Sequence, residues 1–254
     1  MSFSIVIPAR FGSTRLKGKP LLDLVGKPII QHVYECAIKT SAEKVIIATD
    51  DQRIADAAKQ FNAEVCLTNA NHQSGTDRIT EVVEKYQFDD QHIIVNLQGD
   101  EPDTPVKLIE QTAQGLIQNP DADMSTLATK IETSDDIFNP NVVKVVFNQQ
   151  QFALYFSRAP IPWNRDKFGL DQQDFEIKNN HWFRHIGLYG YRCGFLKRYK
   201  QWQMSDLEQI ESLEQLRVLF YGGKIHVGIA TCQSGHGIDT QADLDAMIES
   251  FNQK

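Results

Sequence analysis

Four cations, Arg10, Arg15, Lys17 and Lys19, are interleaved with Gly12, Ser13, Thr14 and Gly18 in one short segment. Guanidinium forks and a compact ammonium suit phosphate oxygens, and glycines let the backbone come close to a ligand, so the natural guest is a polyphosphate. The spacing is not that of the ATPase phosphate loop: five residues, not four, separate Gly12 from Gly18-Lys19, and Pro20 stands where that loop has a metal-binding Ser or Thr. A second group, Gln98-Gly99-Asp100-Glu101-Pro102, offers carboxylates that could hold a hard cation, although Gly-Asp is also ordinary turn chemistry. Asp239, inside Gly235-His236-Gly237-Ile238-Asp239-Thr240, reads either as a second carboxylate for that cation or as the neighbour of a capping box between Thr240 and Asp243. Asn71 to Arg78 is polar and runs into a helix. Its amides would suit an acceptor-rich ligand edge, or Ser74 or Thr76 would simply cap the helix. His185, close to Arg184, Tyr189 and Tyr191, reads as a satisfied structural histidine or as a ligand contact.

The elements that must carry these groups follow an α/β pattern. Ser4-Ile5-Val6-Ile7 has the β-branched shortness of a buried parallel strand, and the basic segment lies just beyond it, where ligands of open α/β sheets bind. A helix opened by Gly26-Lys27-Pro28, a strand from Lys44 to Thr49, a helix from Asp50-Asp51 to about Phe61 and a strand at 64–67 complete a β-α-β-α-β run. The acidic group sits at the carboxyl end of a strand from His92 to Leu97. Beyond it the pattern predicts a helix over 106–117 and a strand over 124–131. After Pro140 the texture turns to a hairpin, 142–147 with 152–157, then an unpatterned loop from Arg158 to Asn180 and a strand over 182–191. Helices over 195–202 and 207–221, a strand over 225–229 and a last helix after Thr240 follow. Ile210, Leu213, Leu216 and Phe220 form the apolar face of the 207–221 helix. The expectation is a single α/β domain with a central, mostly parallel sheet and a β-rich portion near 140–195.

With 254 residues, 41% hydrophobic and 23% charged, the chain can bury a substantial core. A net charge of −7 argues against nucleic acid or an anionic membrane as the main partner. Cys36, Cys66, Cys193 and Cys232 form no CxxC pair and read as buried reduced thiols. No long apolar run suggests a membrane span, so the expectation is a cytoplasmic protein. A phosphate-gripping loop with carboxylates at strand ends suits metal-assisted phosphoryl or nucleotidyl transfer.

The segment Ala9-Arg10-Phe11-Gly12-Ser13-Thr14-Arg15-Leu16 with Gly18-Lys19-Pro20 resembles the N-terminal signature of sugar nucleotidyltransferases. Further blocks narrow the resemblance: His72 to Arg78, Asn96 to Pro102, Tyr155 to Arg158, Arg184 to Tyr191, Leu213 to Arg217 and Gly237 to Thr240. Over essentially the whole chain it resembles the 3-deoxy-manno-octulosonate (Kdo) cytidylyltransferase family, the CMP-Kdo synthetases. The resemblance implies a Rossmann-like nucleotidyltransferase fold and a cytoplasmic homodimer that uses Mg²⁺ to convert CTP and Kdo into CMP-Kdo and pyrophosphate for lipopolysaccharide assembly. A cytidylyltransferase for a related acid, 8-amino-Kdo or a sialic acid, is the alternative. Residue by residue it implies that Arg10, Arg15 and Lys19 hold the triphosphate, with Lys19 also offsetting charge at the α-phosphate. Ser74, Gly75 and the backbone at Ala9 read the cytosine, and Gln98 lies near nucleotide and sugar. Asp100 and Asp239 hold metal, and His185, Tyr189, Glu214 and Gln215 orient Kdo, with Arg165 a further candidate. No histidine lies in the Arg10–Lys19 or Gln98–Pro102 segments, so the expected activation of the sugar hydroxyl is by metal, without an obligatory side-chain base.

Overall fold

The computed structural model describes residues 2–12, 16–72, 74–166, 168 and 181–253. The first strand, β1 (Phe3–Ala9), is apolar apart from Ser4, which bonds His92, because both its faces are covered: Phe3, Ile5, Ile7 and Ala9 enter one core cluster and Val6 the other. A 3-10 turn (Lys19–Leu21) and the short antiparallel pair β2 (Asp23–Leu24) and β3 (Lys27–Pro28) follow. Pro28 then caps α1 (Ile29–Ala37) from outside the helix and does not occupy the first turn. Next come β4 (Lys44–Thr49), α2 (Gln52–Gln60, capped by Asp51), β5 (Glu64–Leu67), α3 (Gly75–Tyr86), β6 (Ile93–Asn96), α4 (Val106–Gln118) and β7 (Met124–Lys130). The chain continues through α5 (Ser134–Phe138), β8 (Lys144–Phe147), β9 (Ala153–Ser157), β10 (Phe183–Arg192), α6 (Cys193–Tyr199), α7 (Asp206–Glu211), α8 (Gln215–Phe220), β11 (Ile225–Ile229) and α9 (Gln241–Asn252).

Among the described residues the main sheet has the order β11-β7-β10-β6-β1-β4-β5. The β6-β1-β4-β5 run and the β7-β11 pair are parallel, as the β-α-β reading predicts. Strand β10 runs antiparallel between β6 and β7, and it carries the β8-β9 hairpin at its side. Its register with β7 slips between Ile186 and Tyr189, which re-aims the side chains around the irregularity.

One element has no counterpart in the sequence pattern, and one expectation needs correction. Short helix α5 follows an N-cap at Thr133, whose hydroxyl accepts from Asp136 N–H, and five residues are too few to show a periodicity. The helix expected over 207–221 is two helices. Ser212 turns left-handed, with φ 51°, ends α7 and starts the turn into α8. A capping box of Ser205 and Glu208 opens α7, and Glu208 reaches across the break to Arg217 at 2.6 Å. The break costs the expected apolar face half its members: Leu213 and Leu216 are buried, but Ile210 is 80% exposed and Phe220 57%. Cys66 and Cys193 are buried as expected, whereas Cys36 and Cys232 are half-buried. No helix among the described residues is long and apolar enough to cross a membrane.

Candidate active site

Strands β1 and β6 lie side by side and parallel, so the segments after their carboxyl ends emerge on one edge. Two backbone devices bring those segments close. Gly18 is left-handed, φ 70°, against the Phe11 ring, and sets the turn that points Lys19 inward. Gly99 packs so tightly that a Cβ there would lie 2.8 Å from the Pro8 carbonyl oxygen. The third contributor is remote in sequence. Ile238 N–H donates to the Asp100 carbonyl at 2.9 Å, which joins the segment before α9 to the segment after β6. Asp243 accepts from the backbone N–H groups of Asp239 and Thr240, at 3.0 and 2.7 Å, so the expected capping box forms and at the same time orients Asp239.

The resulting cleft, of about 390 Å³, is lined by Ala9, Arg10, Gly12, Lys19, Ser74, Gly75, Arg78, Gln98, Asp100 and Asp239, together with Pro8, Pro20 and Gly99. At its centre the buried Lys19 donates to Asp100 Oδ2 at 2.7 Å and to Asp239 Oδ1 at 3.0 Å. Burial works against the ammonium, but the hydrogen bonds and charges of the two carboxylates outweigh it, and the pKa of Lys19 ends above its ordinary value. Beside them, burial and then the charge of Asp100 push the Glu101 carboxyl up to about 7. Ser74 caps α3 in a reciprocal box with Asp77, so the capping reading is correct, and Ser74 and Gly75 still face the cleft. Capping occupies the Ser74 side chain, and a ligand would meet the loop and helix start beside it.

A second cleft, of about 400 Å³, gathers His185, Tyr189, Glu214 and Gln215, together with Asn141, Val142, Val143, Arg184, Gly187, Ser212 and Leu213. Here burial favours the neutral forms of two groups, His185 and Tyr189. His185 is hydrogen-bonded to Thr126 at 2.9 Å and packed between Phe156 and Tyr189, and burial pulls its pKa down to about 3. Burial, followed by the neighbouring Tyr191 and Glu214, drives the Tyr189 phenol well above its ordinary range. Glu214 accepts from the Tyr199 hydroxyl at 2.9 Å, and the buried Gln215 has an Nε2 without a hydrogen-bond partner. A small cavity of about 20 Å³ touches Tyr189, Glu214 and Gln215 on this side and Thr76, next to Gly75, on the other.

Of the residues expected from sequence, Arg15 lies outside the described residues, as does most of the 158–180 loop. Arg165 reaches neither cleft: its side chain is 90% exposed and paired with Asp166 at 2.8 Å, while Phe168 anchors the same turn against Phe138 and Trp182. Sequence reasoning gave Arg78 no role. It is 3% exposed, lines the first cleft, and binds Asp50 at 3.0 Å and the Thr68 hydroxyl. Its signal was present, since it sits one turn after Ser74 on the same face of α3.

The donor set at Asp100 and Asp239 fits a hard divalent cation: two carboxylates converge on one small cationic group, in a cleft whose other polar groups suit phosphates. Fold and cleft together define an α/β nucleotidyltransferase. The family profile described as cytidylyltransferase matches residues 4–225. The chain is 55% identical to the 3-deoxy-manno-octulosonate cytidylyltransferase of Photobacterium profundum, covering 96% of this chain and 97% of the relative. It is 54% identical to that of Yersinia enterocolitica, covering 96% of each chain. Among solved structures it superposes on a CMP:2-keto-3-deoxy-manno-octonic acid synthetase complexed with CTP, with a TM-score of 0.90, 42% identity and coverage of 100% and 99%. The likeness to the 4-diphosphocytidyl-2C-methyl-D-erythritol synthase of Anaerococcus prevotii, TM-score 0.63 at 14% identity, concerns the fold alone. The chain belongs to the cytidylyltransferase family, among the 3-deoxy-manno-octulosonate cytidylyltransferases.

Proposed function

We propose that this chain transfers CMP from CTP to the anomeric 2-hydroxyl of Kdo. The sugar hydroxyl gives up its proton to solvent, its oxygen bonds to the α-phosphorus, the bond from the α-phosphorus to the bridging oxygen of the β-phosphate breaks, and pyrophosphate leaves. The observation that carries the reading is the meeting of Lys19, Asp100 and Asp239, from three distant parts of the chain, in a cleft walled by the start of α3.

Within that reading, Arg10 and Lys19 bind the triphosphate, and the Lys19 charge offsets negative charge that builds on the α-phosphate and the departing pyrophosphate. The backbone at Ala9, with Ser74 and Gly75, meets the cytosine edge, and Arg78 fixes the strand ends beneath it through Asp50 and Thr68. Gln98 stands in the nucleotide cleft near the sugar. Asp100 and Asp239 would hold Mg²⁺, which when bound supplies Lewis acidity toward phosphate oxygens and toward the sugar hydroxyl. Tyr189, Glu214 and Gln215 offer hydroxyl, carboxylate and amide to the sugar's hydroxyls. His185 is neutral at pH 7 and gives directional hydrogen bonding without adding charge. Arg165 has no place in this geometry.

The working assembly is a cytoplasmic homodimer that supplies lipopolysaccharide synthesis. What supports the dimer is an apolar surface: among the described residues strand β9 pairs only with β8, Leu154 on it is 61% exposed, α8 packs beside it with Phe220 outward, and Ile210 on the preceding α7 is exposed as well. Pyrophosphate release from CTP and Mg²⁺ tests the reaction. Release is expected with Kdo and not with a sialic acid; silence with Kdo would sink the reading.

A further inference from the structure

We propose that the Lys19 ammonium and the divalent cation compete for one position between Asp100 and Asp239, so that an arriving triphosphate opens the cation site by drawing Lys19 away. The inference rests on the reading of those two carboxylates as the cation's ligands. Its basis is geometric. A single Nζ bonds both carboxylates, at 2.7 and 3.0 Å, and a cation that took both oxygens would stand where the ammonium now stands. Keeping both would press a divalent charge against a unit charge at contact distance, with two carboxylates to neutralise them.

The backbone of Lys19 is held on several sides. Gly18 is left-handed, Pro20 follows at the start of the turn, Lys19 N–H bonds the Leu16 carbonyl at 3.2 Å, and the residue is 8% exposed. Its four-carbon stem can swing, and the same cleft carries Arg10 and Gly12, where phosphates would offer the ammonium other acceptors. Lys19 therefore does two things. It keeps Asp100 and Asp239 converged before substrate arrives, and it makes their cation affinity depend on nucleotide. By linkage, the factor by which nucleotide strengthens cation binding is the factor by which the cation strengthens nucleotide binding.

The test is Mn²⁺ binding to the full chain without nucleotide, read from the electron paramagnetic resonance of free Mn²⁺. Lys19→Met and Lys19→Gln are expected to bind Mn²⁺ more tightly than the unsubstituted protein, by roughly 5- to 150-fold, and Lys19→Arg to bind as weakly as the unsubstituted protein. Equal or weaker binding in both neutral variants overturns the competition while leaving the reaction untouched. The gain in Lys19→Met must vanish when Asp100→Asn is added. If it persists, Asp100 is not a ligand, and the reading of the carboxylates falls together with the inference.

Discussion

On the proposed assignment, nucleotide to the first cleft and sugar to the second, the two clefts solve opposite problems. The nucleotide cleft sits beyond the carboxyl ends of parallel strands, and it works with charge: Arg10, Lys19, Arg78, Asp100 and Asp239 line it, and ion pairs order it before any ligand is present. The sugar cleft sits on the antiparallel strand β10 and the broken α7-α8 pair, and it sets two groups kept neutral by burial, His185 and Tyr189, and a Gln215 amide beside Arg184 and the Glu214 carboxylate. A triphosphate needs compensation of charge that grows during the reaction, whereas a polyol needs direction and many modest hydrogen bonds. One fold supplies both by placing them on different strand types of a single sheet.

Substitutions should separate the clefts by size and by kinetic constant. Asp100→Asn is expected to lower kcat by about a hundredfold or more, since it removes charge that orders the reaction centre. Steady-state kinetics check this, and near-normal turnover would erase the distinction. Gln215→Ala and Tyr189→Phe are expected to raise KM for Kdo roughly tenfold with KM for CTP unchanged, because each removes one hydrogen-bonding group from the sugar side alone. A change in both KM values would mean that the clefts are not separate. The smallest effect is on stability. His185 has a pKa of about 3 in the fold against 6.5 ordinarily, so as pH falls from 6.5 the unfolded chain takes up a proton that the folded chain refuses, and stability drops until about pH 3. His185→Asn should flatten the dependence of Tm on pH across that window, and an unchanged slope would show the imidazole to be solvated.

The difference between the clefts also governs what could be read from the sequence. Contiguous segments with a strand behind them, Arg10 to Lys19 and Gln98 to Pro102, identify the nucleotide cleft, because loop chemistry and strand periodicity sit side by side along the chain. Parallel strands and the Thr240-Asp243 box were legible for the same reason. Tertiary bonds were not. Nothing local announces that Ile238 N–H meets the Asp100 carbonyl, or that Arg78 spans to Asp50 and Thr68. The sugar cleft came only from family resemblance, since the left-handed Ser212 that turns Glu214 and Gln215 inward interrupts what reads as one apolar helix. Arg165 shows the converse: a cation in a plausible place along the chain that the packing of Phe168 leaves facing solvent.

The central claim is that Lys19 acts on charge that develops during the reaction. Steady-state and single-turnover kinetics of Lys19→Met with CTP and Kdo test it most directly. The expected result is a fall in kcat of about a hundredfold or more with a smaller change in KM for CTP. A defect confined to KM, with kcat intact, would make Lys19 a ground-state binding residue and contradict the claim.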